Sequence, residues 1–350
     1  MWLIHYAKPR LIHCSPPIAA IQALKFLSII SRSLKEIKMY KLTCMATRIV
    51  AMAVFLLASL CTETQASPFS SLIVYGDSLS DNGNLYTAVG LPGTPYYLGR
   101  RSDGPVAVEQ LAVLLGVPLI DFAWIGATTG IGNYADNGTP SSLGTYSLPG
   151  MQMELAATQT LLTPYLTDGL FVVWGGPNDF LAPSPSDITP QQVVQRAVLD
   201  LLGLVTSLEA LGAHHILVPG MPDLGLTPYF RSLGPTTAAQ GSAITDALNA
   251  ALSANLPADV YFYDTAGLLR SMVANPGSYG FTNVTDPCFN GISVCANPAQ
   301  YLYFDDFHPT MATASYAARG FLTATVPEPP ALVFMLIGLT LWGFARKREV

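Results

Sequence analysis

Five short apolar runs, mostly rich in β-branched residues, recur along the middle of the chain: SLIVY at 71–75, PLIDFA at 118–123, LFVVW at 170–174, HILVP at 215–219 and VYFYD at 260–264. Turn-forming residues flank them, and none is long enough for an independent helix, so each predicts a strand. Between them the apolar positions recur with helical spacing, at Val106 to Leu115, Gln152 to Leu162, Gln191 to Leu211, Ala238 to Ser253 and Thr310 to Leu322. Strands that are nearly continuous in apolar residues, alternating with helices, predict a parallel sheet covered on both faces: an α/β three-layer sandwich of about five strands. Residues 132–149 and 182–190, rich in Gly, Pro, Ser and Thr, read as surface loops.

The two ends break this pattern. Residues 49–60, IVAMAVFLLASL, form an apolar run of 12 preceded by Arg48 and followed by CTETQA, with a small residue for cleavage after Ala66. That is the layout of a secretory signal peptide. Residues 1–38 add a second basic, weakly apolar stretch ahead of it, and Met39 and Met45 stand where an initiator belongs, so the expected start of translation is one of these two. At the other end, a Pro-rich turn at Val326-Pro327-Glu328-Pro329 precedes 15 mostly apolar residues from Ala331 to Ala345, then Arg346-Lys347-Arg348. Fifteen residues make about 22 Å of helix, short of a roughly 30 Å hydrocarbon core. The basic cluster would stay cytoplasmic and hold the body outside. This tail resembles the PEP-CTERM sorting signal of Gram-negative bacteria, which implies signal peptidase and exosortase as processing enzymes and a transient membrane anchorage. A permanent single-span anchor is the alternative. The expected division is therefore leader 1–66, one domain at 67–325 and sorting tail 326–350.

Composition sharpens the picture. Of the 350 residues, 50% are apolar and only 11% charged, with a formal net charge of −6. The ends hold most of the cations: residues 67–325 contain six Arg, no Lys and 19 Asp plus Glu, a formal −13. Six scattered Arg build no basic patch, so nucleic acid is excluded as a partner. Removal of the leader takes Cys14, Cys44 and Cys61, leaving Cys288 and Cys295 in PCFNGISVC. An even pair in an exported body predicts a disulfide, and zinc lacks two further soft ligands nearby.

In open parallel sheets chemistry lies beyond the carboxyl ends of the strands. After SLIVY comes Gly76-Asp77-Ser78-Leu79-Ser80-Asp81-Asn82-Gly83-Asn84; after PLIDFA comes Trp124-Ile125-Gly126-Ala127; after LFVVW comes Gly175-Gly176-Pro177-Asn178-Asp179. A hydroxyl, an approachable glycine N–H and a carboxamide would share one rim, the parts of a nucleophile with an oxyanion hole. The domain has three His. His214 and His215 precede HILVP, at the amino edge of the sheet, and His308 lies in Asp305-Asp306-Phe307-His308 before the last helix. A turn of that spacing brings Asp305 onto His308 Nδ1 while Nε2 faces the serine. Asp306 is expected to face solvent and Asp81 and Asp179 to support their loops. Trp124, Trp174, Tyr96 and Tyr97 are expected to fill core or rim rather than line an acyl or sugar pocket.

GDSLSDNGN, GPND and DDFH, in this order and on matching strands, resemble the blocks of the GDSL esterases and lipases, the SGNH hydrolases. RRSDGPVAVEQLA at 100–112 and MPDLGLTP at 221–228 are weaker matches. The resemblance spans nearly the whole domain and implies a flavodoxin-like sandwich without metal or organic cofactor. It implies Ser78 as nucleophile, His308 as general base and then acid, Asp305 as its orienter, and Ser78 N–H, Gly126 N–H and the Asn178 side chain as oxyanion donors. Where many relatives have two glycines, this chain has Ile125-Gly126. No Gly-x-Ser-x-Gly elbow is present, which argues against the α/β-hydrolase architecture. The implied activity is hydrolysis of carboxylic esters at the surface of, or outside, a Gram-negative cell, on lipid, short-chain or polysaccharide O-acetyl esters. A non-catalytic matrix or surface protein that keeps the fold is the alternative.

Overall fold

The computed structural model describes residues 67–326. The expected leader and signal peptide, and all of the expected sorting tail beyond Val326, lie outside the described residues. Among the described residues no helix is long and apolar enough to cross a membrane.

Five parallel strands form the central sheet: β1 (Ser71–Gly76), β2 (Leu119–Asp121), β3 (Gly169–Trp174), β4 (His215–Pro219) and β5 (Tyr261–Tyr263), in the order β2-β1-β3-β4-β5. In this doubly wound order the connections diverge between β1 and β3, which opens a crevice at their carboxyl ends. The register sets Ser71 beside Gly169 and Gly76 beside Trp174. Strands β1 and β3 are buried along their whole length, as their unbroken apolar runs require. Strands β2 and β5 are shorter than the runs at 118–123 and 260–264 because both are edge strands, paired on one side and half-buried.

Alternation along the strands divides the core. Ile73, Tyr75, Phe171 and Val173 face α3 (Met151–Thr158), α5 (Pro190–Leu211) and α7 (Pro235–Asn255). Leu72, Val74, Leu170, Val172 and Trp174 face α2 (Ala107–Leu115) and α9 (Met311–Thr325) on the other side. Helix α5 shows how sequence makes such an element. Thr189 caps its first turn, Pro190 opens it, and Val193, Ala197, Leu201, Leu204, Val205 and Leu208 bury one stripe. Each of the larger side chains contributes on the order of 1.5–3 kcal/mol by leaving water.

Several elements go beyond the sequence expectations. Three short helices flank the crevice, α1 (Asn84–Val89), α4 (Pro177–Leu181) and α6 (Pro228–Ser232). Helix α8 (Thr265–Ala274) is capped by Asp264 and packs Leu269 and Met272 into a third, smaller cluster with Phe281, Leu302 and Tyr303. That cluster underlies a two-stranded parallel ribbon, β6 (Asn283–Pro287) and β7 (Tyr301–Tyr303). The span expected as one helix to Leu162 ends at Thr158 and tightens into a 3-10 turn. Cys288 and Cys295, between β6 and β7, are disulfide-bonded.

Candidate active site

The carboxyl ends of β1, β2 and β3 and the loop after β7 surround a cleft of about 940 Å³, whose lining includes Ser78, Gly126, Asn178, Asp305 and His308. The turn that carries Ser78 starts where Gly76 lets two strands approach. A Cβ there would stand 2.6 Å from Trp174 O. Asp77 then folds the chain back, its Oδ1 accepting from Leu79 N–H at 2.9 Å and its carbonyl from Ser80 and Asp81 N–H at 3.0 and 2.9 Å. Ser78 is left on the outside of the turn, its side chain toward His308.

His308 Nε2 lies 2.7 Å from Ser78 Oγ, and Nδ1 lies 2.8 and 2.9 Å from Asp305 Oδ1 and Oδ2. The Asp-x-x-His turn makes this local. Phe307 and His308 N–H donate to Asp305 Oδ1 at 2.9 and 2.7 Å, as an Asx turn does. Burial opposes ionisation of Asp305, yet the His308 charge and these hydrogen bonds outweigh it and hold the carboxyl well below the usual range. Asp306 points to solvent, its carbonyl accepting from Tyr229 N–H.

On the opposite wall, Gly126 has φ +84°, the left-handed region that favours glycine. Asn178 Nδ2 donates to Ala127 O at 2.9 Å, so one amide hydrogen is engaged and the other remains for the cleft. Among the described residues, no protein acceptor takes the N–H of Ser78 or of Gly126. Ile125, the residue before Gly126, is buried and its N–H donates to Asp81 Oδ2 at 2.8 Å.

Buried carboxylates hold these loops. Asp81 also accepts from Gly83, Asn84 and Leu85 N–H, and Asp179 accepts from Thr129 N–H and hydroxyl. Sequence reasoning missed two more. Glu154 Oε2 accepts from Gly76 N–H at 3.0 Å and Oε1 from Trp124 N–H at 3.1 Å, joining the loops after β1 and β2. Asp121 accepts from Asn82 and Ala123 N–H. The signal for Glu154 was an acid on the apolar stripe of its helix, between Met151 and Leu155. Burial raises all of these carboxyls, Asp77 to about 6 and Asp179 to about 7.

The remaining candidates lie elsewhere. His215 opens β4 with its ring against Phe69, and His214 N–H donates to Leu166 O, both far from the cleft rim. Trp174 is core, its Nε1 donating to Gly220 O. Trp124 packs on the core, and Tyr97 lies under Arg100 on the surface. Tyr96 differs from expectation, because its hydroxyl donates to Asp305 Oδ2 at 2.9 Å. Nothing in PYYLG distinguishes it from Tyr97.

The family model for GDSL-like Lipase/Acylhydrolase matches residues 72–321. Esterase EstA of Pseudomonas aeruginosa is 30% identical over 311 residues, covering 74% of this chain and 47% of that protein. A GDSL esterase/lipase of Arabidopsis thaliana is 25% identical over 337 residues, covering 78% of this chain and 96% of the plant protein. A solved acetyl xylan esterase variant from Geobacillus stearothermophilus aligns with TM-score 0.41 at 15% identity, covering 74% of this chain and 96% of that one. The chain spans about half the length of the Pseudomonas esterases it matches.

Proposed function

The chain belongs to the GDSL-like lipase/acylhydrolase family, and on that premise we propose that it is an exported serine carboxylic ester hydrolase acting by acyl transfer through Ser78. The unbroken hydrogen-bond path from Asp305 through His308 to Ser78 Oγ, opening on a cleft, carries this reading.

In the reaction, His308 Nε2 takes the Ser78 proton as Oγ attacks the ester carbonyl carbon. The carbonyl oxygen becomes an oxyanion facing Ser78 N–H, Gly126 N–H and Asn178 Nδ2. Fixed donors of this kind are worth about 10²–10³ in turnover each. His308 then gives its proton to the leaving alcohol, and the tetrahedral intermediate collapses to an acyl-enzyme. Water, deprotonated by the same imidazole, attacks that ester and releases the acid and Ser78. Asp305, held ionised, stabilises the imidazolium in both halves.

Leu85, Val89, Leu91, Leu181 and Phe289 line the cleft and suit an apolar acyl group. The leader and the Val326-to-Val350 tail support export and exosortase-type sorting, and with them a position at or beyond the cell surface. The test compares the full chain with Ser78→Ala on p-nitrophenyl esters of increasing acyl length and on O-acetylated polysaccharide. Turnover should fall by about 10⁴- to 10⁶-fold in the variant. Equal turnover in both would remove Ser78 as nucleophile, and a folded parent inert on every ester would favour the non-catalytic surface protein.

A further inference from the structure

The oxygen of Asp305 that the backbone of its own loop leaves open is shared between His308 Nδ1 and a side chain distant in sequence. Both backbone donors of the loop go to Oδ1, whereas Oδ2 accepts from Tyr96 Oη at 2.9 Å, a contact across 209 positions of sequence. Tyr96 is itself fixed. Phe289 and Phe304 meet its ring edge-on at 5.7 and 5.5 Å, and the Arg101 guanidinium stands 5.0 Å from its centroid. Arg101 Nη1 also donates to Tyr96 Oη at 3.2 Å. Burial first, then the Asp305 carboxylate, pushes the phenol up to about 12, so it stays a donor.

Arg101 has the freer charge. Arg100, Arg196 and Arg270 are paired with Glu109, Asp187 and Asp223. Among the described residues no carboxylate lies within ion-pair distance of Arg101, which lines the cleft. Its hydrogen bond to the phenol leads on to Asp305.

We infer that Tyr96 and Arg101 are positioning residues of the triad, clamping Asp305 against His308 Nδ1 and drawing negative charge away from the imidazole. The inference rests on the triad reading above. A donor on Oδ2 disperses the carboxylate charge and a nearby guanidinium repels an imidazolium, so both favour the neutral, proton-accepting form of His308. The other ionisable groups around the pair are Asp306 on its own loop, Asp77 at the end of β1 and Tyr229 stacked on Phe307. The two acids act in the opposite sense.

The test is an NMR pH titration of the full chain in detergent micelles, with ¹³C-labelled histidine and the His308 resonance assigned by its loss in His308→Gln. In Tyr96→Phe and in Arg101→Gln the His308 midpoint should rise by about half a pH unit, about threefold in proton affinity. His214 and His215 should not move, and Arg101→Lys should restore part of the shift. The acid limb of kcat/KM for p-nitrophenyl acetate should move with the midpoint while KM holds. An unmoved midpoint in both variants overturns the inference, as does a changed KM with an unchanged limb, which would make Tyr96 a wall of the acyl pocket. A shifted midpoint in a chain that hydrolyses no ester would support the clamp and sink the hydrolase reading instead.

Discussion

Replacing Gly126 by alanine asks whether the loop after β2 is shaped around a backbone N–H. At φ +84° an L side chain costs about 1–2 kcal/mol. The new Cβ would also lie inside contact distance of Asn133 Oδ1 and 2.9 Å from Ala135 N. Asn133 has little room to yield, because its Nδ2 donates to Ile125 O and Pro149 O at 3.0 Å each and its Oδ1 accepts from Ala135 N–H at 2.8 Å. Giving up one or two of these adds about 1 kcal/mol apiece, for a total of about 2–4 kcal/mol. Urea denaturation followed by tryptophan fluorescence should show the midpoint falling by roughly 1 M at a slope of about 2–3 kcal/mol/M. Turnover should fall by about 10²-fold as the N–H leaves its donor position. A midpoint within about 0.3 M of the parent, at the same slope, would mean that the loop accepts a side chain and that its shape is not set by Asn133.

Asn178→Ala should lower kcat by about 10²- to 10³-fold with KM little changed, measured on a short p-nitrophenyl ester; a loss under about threefold would remove the amide from the oxyanion site. Thermal stability should be higher at pH 5 than at pH 8. Asp77 and Asp179 are raised by burial to about 6 and 7, and Asp121 and Glu154 are raised as well, so folding takes up protons and their ionisation above pH 4 erodes stability. Asp305, held low, adds stability that is lost only below the ordinary carboxylate range and leaves that window unaffected. A Tm independent of pH between 5 and 8 would contradict the raised carboxyls. Cys288→Ser with Cys295→Ser should speed proteolytic cutting at 288–295 and raise KM more than it lowers kcat, because the loop carries Phe289, which lines the cleft. An unchanged cutting rate would mean that the ribbon alone holds the loop.

The parts of the fold that were legible are those whose pattern and burial coincide. Strands β1 and β3 are covered on both faces, so their sequences are apolar throughout. Helix α5 carries its stripe over 22 residues with a cap at its start. Helix α8 was harder to read because Gly267, Arg270 and Ser271 dilute its spacing, and β6 and β7 because a half-buried ribbon of NVTDP and YLY has no apolar period. The meeting of Ser78, Asp305 and His308 could be anticipated because each follows a strand end or lies in one local turn. Tyr96 could not, since Asp305 is 209 positions away, nor could Arg101, since no spacing encodes which face of its loop looks inward; Glu154 showed only as an acid on an apolar stripe, with partners 78 and 30 positions away.

The same buried carboxylates change the meaning of the domain's charge. A formal −13 over residues 67–325 reads from composition as an acidic surface that repels anionic headgroups. Yet Asp77, Asp81, Asp121, Glu154 and Asp179 are interior acceptors for loop N–H groups, and burial raises every one of them. Acids used in this way are largely withdrawn from the outer surface, whose potential is set by the remaining carboxylates and the six Arg. Repulsion from an anionic interface is therefore weaker than composition suggests, and it should weaken further as the pH falls toward 6. Their purpose is geometric. A crevice built from loops after three strands leaves many backbone donors without ladder partners, and a carboxyl accepts several at once where a neutral side chain accepts fewer. Glu154, tying Gly76 to Trp124, fixes the distance between the turn that carries Ser78 and the loop that carries Gly126, a bridge that needs two acceptor oxygens on one side chain.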